Sequence, residues 1–463
     1  MDLYKSRFLT ALGVVLLPLL SFAQIPAASD TVSLGRKLNT RGEFHVHLRS
    51  FFMATDNAGS LKDYYALAEG AGLSFLSPKI YGFQAGVTGF FIFNLASTDF
   101  SIPDATTKGT NRYEIGLFDI NNPNNTKDLD RLEDLYLKYN FRKSWAMAGR
   151  FELNTPFINR QDGRMRGTIE EGVYAEFNEV KNLKVEAGWL WMISPRSTIS
   201  WYHLEDSYGV YSMGLNPDGT KSNYKNNISS AGNGLLGLTW SKNKNLKVQA
   251  WDIWAENVFN TALLQIDGEK SIAANSLLAG VQYIRQDALN YGGNKVQSKT
   301  YIPKGSFSQV VGGRLGYRAG KHEVTINYTR ITDDGRFLLP REWGREPFYT
   351  FMARERNEGI ADMHAVNVRY AGNFSKSRLK PSLTYGHYYL PDVKDPSRNK
   401  YGLPSYAQIN AEVKYSFDKK LKGLQLQLLV VHKIGMGETY NDDRYVFNKV
   451  DMTNYNFVLD YTF

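Results

Sequence analysis

Tyr455-Asn456-Phe457-Val458-Leu459-Asp460-Tyr461-Thr462-Phe463 closes the chain, and its alternation decides the fold. Every odd position is large and apolar or aromatic, whereas Asn456, Asp460 and Thr462 lie between them. A strand points successive side chains to opposite faces, so this stretch has one oily face and one wet face. No later element follows to cover the oily face. It therefore packs on another sheet or sits in lipid, and the rest of the sequence favours lipid.

The pattern recurs along the chain. At the start, Phe44, Val46, Leu48 and Phe52 oppose Glu43, His45, His47 and Arg49. Clear repeats follow at 67–75, 83–87, 135–141, 145–151, 183–191, 277–283, 311–317, 324–328, 366–370, 409–417 and 424–430. Weaker ones lie at 173–177, 236–240, 246–254, 262–266 and 379–388. The total is roughly 18 strands, each long enough to cross a bilayer when tilted. The connections sort by length. Short turns such as 77–81, 142–144, 178–182, 241–245, 319–322 and 418–423 alternate with long segments such as 96–129, 154–171, 194–234, 286–308, 332–362, 389–405 and 434–454. Short periplasmic turns and long outer loops describe an outer-membrane barrel. The wet faces hold charges of both signs, which a packed core cannot bury unpaired but a water-filled lumen can line. The expected fold is all-β, a single transmembrane antiparallel β-barrel.

Composition agrees. The chain has 463 residues, no cysteine, and a net charge of +9 from 55 Lys+Arg against 46 Asp+Glu. Disulfides are thereby excluded, and no dense basic run marks a nucleic-acid-binding tail. Residues 1–23 read as a secretory signal: Lys5 and Arg7 precede the apolar run Phe8–Leu20, and Ser21-Phe22-Ala23 places cleavage before Gln24. A polar periplasmic lead-in at 24–40 then precedes the barrel at 41–463. The expected location is the outer membrane of a Gram-negative bacterium, with Phe463 ending the strand that the barrel-assembly machinery would receive.

Strand parity nominates the lumen lining. Arg49, Arg150, Arg314, Arg318 and Arg369 fall on wet faces, helped by Lys138, Lys414 and Lys433. Arginine suits a carboxylate because its planar fork donates two hydrogen bonds at once. On this reading, Arg150→Glu reduces anion preference. His45 and His47 share a face, but two ligands do not make a metal site. No metal, cofactor or catalytic motif is expected: there is no Gly-x-Ser-x-Gly, His-Glu-x-x-His or phosphate loop. The segment 332–362, with Arg336, Arg341, Glu342, Arg345, Glu346, Arg354 and Arg356, reads as a self-paired loop capping the pore.

Several motifs in order resemble the OprD-type outer-membrane porins. They are His47-Leu48-Arg49-Ser50-Phe51-Phe52; Gly70-Ala71-Gly72-Leu73 through Gly82-Phe83-Gln84-Ala85-Gly86; Gly149-Arg150-Phe151-Glu152-Leu153-Asn154-Thr155-Pro156, followed by Asp162-Gly163-Arg164-Met165; Leu421-Lys422-Gly423-Leu424; and the closing Tyr461-Thr462-Phe463. The resemblance implies an 18-stranded monomeric channel. Its third and seventh loops would fold inward to form an eyelet, and an arginine ladder would guide substrate carboxylates. On that basis Asp162, Arg164 and Arg166 belong to the constriction loop, and Arg49, Arg150, Arg314, Arg369, Lys138 and Lys414 to the ladder. The function expected is passive, charge-selective diffusion of small solutes such as amino acids or organic acids. A barrel enzyme of phospholipase or protease type would need a nucleophile–base pair, and no Ser–His pairing stands out. A loop-mediated adhesin is a further alternative. A plugged receptor would need a plug domain, which the roughly twenty residues ahead of the first strand cannot supply.

Overall fold

In the computed structural model, residues 42–463 are described, apart from Asp162 and Lys244. The proposed signal and lead-in lie outside the described residues, as does Asp162. Nineteen strands form one sheet: β1 (Glu43–Asp56), β2 (Tyr64–Leu76), β3 (Phe83–Ser97), β4 (Arg131–Phe141), β5 (Ser144–Phe151), β6 (Ile169–Phe177), β7 (Leu183–Ser194), β8 (Tyr202–His203), β9 (Asn233–Asn243), β10 (Leu246–Ala255), β11 (Phe259–Ile272), β12 (Asn275–Ala288), β13 (Phe307–Ala319), β14 (His322–Ile331), β15 (Met363–Gly372), β16 (Leu379–Tyr389), β17 (Tyr406–Ser416), β18 (Leu424–Gly435) and β19 (Met452–Thr462). Chain neighbours pair antiparallel except β8 and β9, where β7 pairs β9 directly. The two-residue β8 only adds to the tip of β7. The final stretch of the chain seals the tube: β19 pairs β1 from His47↔Thr462 to Asp56↔Thr453. The wall is thus an eighteen-stranded antiparallel barrel with no free edge, the arrangement that satisfies every backbone group in lipid.

The outer skin follows the parity rule. Leu73, Phe83, Leu137, Val281, Leu315, Ile326, Val368, Leu383 and Tyr455 are all exposed large apolar side chains. Among the described residues no helix is long and apolar enough to cross a membrane, so the strands do the crossing. The short connections gather with both ends of the barrel chain, which marks that side as periplasmic.

One strand departs from expectation. Alternation predicts that β5 turns Trp145, Met147 and Phe151 outward and Arg150 inward. Directly opposed residues on paired strands share a face. Arg150 pairs with Leu135, which is 51% exposed on the outer skin, and Ala148 pairs with Leu137. Arg150 and the small Ala146 and Ala148 therefore face out. Trp145, Met147 and Phe151 face in, where Trp145 and Phe151 pack on Tyr174. The aromatic side of β5 is inside because loops fill that part of the mouth and give it an apolar surface to meet.

Those loops build a second interior. Phe157 and Ile158 of loop 152–168, Tyr208 and Tyr224 of loop 195–232, Tyr301 of loop 289–306 and Phe337 and Trp343 of loop 332–362 join wall residues such as Phe259 and Ile331 in one buried apolar cluster. Counted from the first outer loop at 57–63, loop 152–168 is the third and loop 332–362 the seventh.

Candidate functional site: a cationic constriction

The third and seventh loops are latched by backbone. Asn159 N donates to the Trp343 carbonyl at 3.1 Å, while the Asn159 side chain accepts from Arg345 N at 3.1 Å and donates to the Arg345 carbonyl at 3.0 Å. Thr168 and Gln161 reach the Glu342 and Arg341 carbonyls at 3.4 Å each. The wall holds the same loop from the other side. Arg49 of β1 donates from Nε to Asp460 of β19 at 2.6 Å and from Nη1 to the Arg164 carbonyl at 2.8 Å. Arg131 of β4 holds the end of the loop through the Gly167 carbonyl at 2.6 Å.

Between these loops and the loops at 98–130, 195–232, 390–405 and 436–451 lies a cavity of about 760 Å³. Its charge is one-sided. Arg112, Arg164, Arg196, Arg341, Arg345, Arg354, Arg356, Lys400, Arg444 and Lys449 line it, against one carboxylate among the described residues, Glu355. Glu355 is already engaged by Arg112 at 2.8 Å and Lys433 at 2.7 Å. Burial alone raises its carboxyl pKa, but Arg112, Lys433 and Arg341 together hold it well below the usual carboxylate range. Arg341 pairs with Glu358 and Arg444 with Asp442. Arg164, Arg196, Arg345, Arg354 and Arg356 make no ion pair among the described residues. Burial, then the neighbouring Arg354, pushes the Arg164 pKa down to about 9; burial, then Arg164, does the same to Arg196. Burial and Arg196 push Arg354 down to about 10. All three stay charged at neutral pH, and each weakens its neighbour's hold on the proton. Aromatic faces interleave with them: Arg345 lies 4.9 Å from the Phe351 ring centre and Arg341 4.0 Å from that of Tyr401.

Of the expected constriction residues, Arg164 lines the cavity. Arg166 does not: it is buried behind the loop, donating to the Leu129 carbonyl at 2.6 Å. Of the expected ladder, Arg314 sits on an inward face, 2.8 Å from the Asn327 side-chain oxygen and 4.3 Å from the Tyr349 ring centre. Arg369 lies on the same side of the wall, across from Thr325 and Thr384, with no ion pair among the described residues. Lys414 faces in towards the periplasmic end, 3.3 Å from Glu412 and directly across from Lys380. Lys138 faces in on the opposite wall, 4.0 Å from the Trp145 ring centre. Arg49 is engaged by Asp460 and the third loop. Arg150 is a correction: it lies on the outer face near the rim, paired with Glu171 at 2.7 Å and stacked 4.2 Å from the Trp201 ring centre.

Strand parity missed Arg112, Arg196, Lys400 and Lys449, which sit on loops where a two-residue period has no meaning, and Lys380, which sits in a weak strand signal. The charge density of 332–362 was visible, yet only part of it is self-paired. Lys400 is enclosed by the rings of Tyr224, Tyr301 and Tyr401, and burial pushes its pKa down to about 7 despite Glu358 nearby.

A closed eighteen-stranded wall whose mouth is narrowed by infolded, latched loops is the form of a substrate-specific outer-membrane channel. The family model for outer membrane porin, OprD family, matches residues 41–452, and the chain belongs to that family. It is an outer-membrane porin that passes small solutes, not an enzyme. Solved structures of similar fold include Pseudomonas aeruginosa OpdK with vanillate (15% identity, 91% of this chain and 98% of that chain, TM-score 0.69). They also include Acinetobacter baumannii OccAB3 (17%, 91% and 99%, TM-score 0.71) and OccAB4 (16%, 92% and 98%, TM-score 0.71). No curated protein sequence matches the chain.

Proposed function

We propose that this porin selects for anionic, carboxylate-bearing solutes, which pass the guanidinium-lined constriction and then track down one side of the lumen. The supporting observation is the constriction's charge: among the described residues, five arginines without an ion pair and one already neutralised glutamate. Below it, Arg314, Arg369, Lys380 and Lys414 carry the positive potential along β13 to β17. On the facing wall Glu176 and Glu186 are met by Lys184 at 3.6 and 2.8 Å, so the positive excess lies on the β13 to β17 side. Each site must bind weakly enough to release, and single arginines in contact with water meet that need. The vanillate named with OpdK is a carboxylate, in line with this reading.

The test is the reversal potential of the purified chain in a planar bilayer under a KCl gradient. Arg354→Glu is expected to lower the chloride-to-potassium permeability ratio several-fold, because it reverses one of these five charges in a confined site. Arg150→Glu is expected to leave the ratio unchanged, since that side chain faces outward. An unchanged ratio in Arg354→Glu would remove the constriction from the selectivity mechanism.

We also propose that the chain works as a monomer, and that Phe463 is the end recognised during assembly. It is 60% exposed, and its backbone is tied to Val46 in both directions at 2.9 and 3.1 Å. Its removal is expected to cut the heat-shifted, folded fraction on cold gels; an undiminished folded fraction would reject the assignment.

A further inference from the structure

We infer that the constriction is built for a solute bearing two oxyanionic charges, rather than for a monocarboxylate or a zwitterion. This rests on the anion-guiding reading above and narrows it.

The observation is a convergence of guanidinium groups that a single carboxylate cannot satisfy. Arg164 Nη1 and Arg354 Nη1 both donate to the Gly163 carbonyl, at 2.7 and 3.3 Å, and Arg196 Nη1 donates to the Gln161 carbonyl at 3.0 Å. Three cations from the third, fourth and seventh loops thus share one short turn of backbone. A Cβ built on Gly163 would lie 3.5 Å from both Arg196 Nη1 and Arg354 Nη1, so the two guanidinium groups flank the same point of the turn. Arg356 adds a fourth from the seventh loop, held by the Arg341 carbonyl at 3.0 Å.

These groups retain unused donors. Arg164 Nε and Arg356 Nη1 are buried without a hydrogen-bond partner, whereas Arg196 faces the Tyr211 hydroxyl. All four residues line the cavity. Buried donors without acceptors are costly, more so when charged. A fold keeps clustered cations where something else brings the counter-charge. Neutral carbonyls hold the arginines in place but supply no counter-charge, and the cavity's one described carboxylate is taken by Arg112 and Lys433. A carboxylate at position 162 neutralises one charge at most. Arg356 is faced by Glu346, so Arg164, Arg196 and Arg354 together exceed position 162 plus a monocarboxylate by one cation, and a zwitterion would bring an ammonium group into the same field at a penalty. A dicarboxylate or a phosphate supplies two charges to this cluster.

The test uses the assembled full chain in a planar bilayer at pH 7.5, with butyrate, succinate or inorganic phosphate added to KCl. The readout is the concentration that halves the small-ion current. Succinate, phosphate or both are expected to block at a concentration about tenfold below that of butyrate, the gain of one further charge-assisted contact. Succinate alone places the two charges apart; phosphate alone places them on one centre. Arg196→Gln is expected to narrow the gap to under about threefold, and Arg354→Gln serves where the first variant does not assemble. Equal block by all three anions with anion preference intact, or an unchanged gap in the variants, overturns this inference and leaves the proposed function standing. Loss of anion preference in the unmodified channel overturns both.

Discussion

Arg49→Ala is expected to raise open-channel conductance about twofold and to add fluctuating substates, with the barrel wall intact. Arg49 ties the middle of the third loop to the wall, through the Arg164 carbonyl at 2.8 Å. It does so from the β1–β19 seam, anchored on Asp460 at 2.6 Å. Removing one partner of a largely buried ion pair costs about 3–5 kcal/mol, because the remaining charge and carbonyl are stranded. The seam does not open, since ten residue pairs of backbone register join β1 to β19. His47 at 2.9 Å still holds Asp460. Arg131 still holds the end of the loop at Gly167, so the segment around Arg164 is what moves away from the wall. Arg49→Lys keeps the charge but lacks the fork that serves Asp460 and the loop together, so it should lie between the two. Single-channel recording decides the matter. An unchanged conductance and substate pattern in Arg49→Ala would mean that Arg131 and the seventh loop suffice to position the third.

The wall was legible in the sequence because a lipid solvent and a water-filled lumen impose opposite demands on alternate residues. The closing stretch Tyr455–Phe463, the sorting of turns and loops, and the strand count all follow from that. What alternation does not supply is the sign of a strand whose inner face is also apolar. β5 shows this: Trp145, Met147 and Phe151 read as lipid-facing, yet they meet Tyr174 and the loop core, while Ala146 and Ala148 meet lipid. A register rule tells which residues share a face, not which face is wet. Arg150 was misplaced for that reason alone.

The constriction was legible only as a charge-rich segment. Its geometry depends on where irregular loops fold, and that is set by contacts far apart in sequence. Arg196 of the fourth loop reaches Gln161, 35 residues away, and Arg354 of the seventh reaches Gly163, 191 residues away. No local period reports such a meeting. The strand residues that periodicity did nominate, Arg314 and Arg369, lie on the inner face of the wall below it. Arg49 plays a supporting part, positioning the loop that carries Arg164.

Trp343→Ala is expected to have the largest effect on the eyelet, a several-fold rise in conductance with loss of ion selectivity. Trp343 is fully buried at the meeting of three loops and the wall. Its indole Nε1 donates to Ser207 Oγ at 3.0 Å, and its ring packs 5.1 Å from Tyr208 and 5.8 Å from Phe259. Its carbonyl accepts the Asn159 backbone N–H that latches the third loop. Truncation to alanine costs about 3–5 kcal/mol in lost packing and cavity formation. Loop order is less stable than a closed barrel, whose strands are secured by continuous hydrogen-bonded ladders, so the loops absorb this loss. Trp343→Phe retains most of the ring packing and forfeits mainly one hydrogen bond, about 1 kcal/mol, so its channel should remain narrow and selective. The heat-induced gel shift should survive in both variants, showing that the wall still closes. A Trp343→Ala channel that keeps the gel shift together with unchanged conductance and selectivity would show that the latch between Asn159 and the seventh loop holds without its buried anchor.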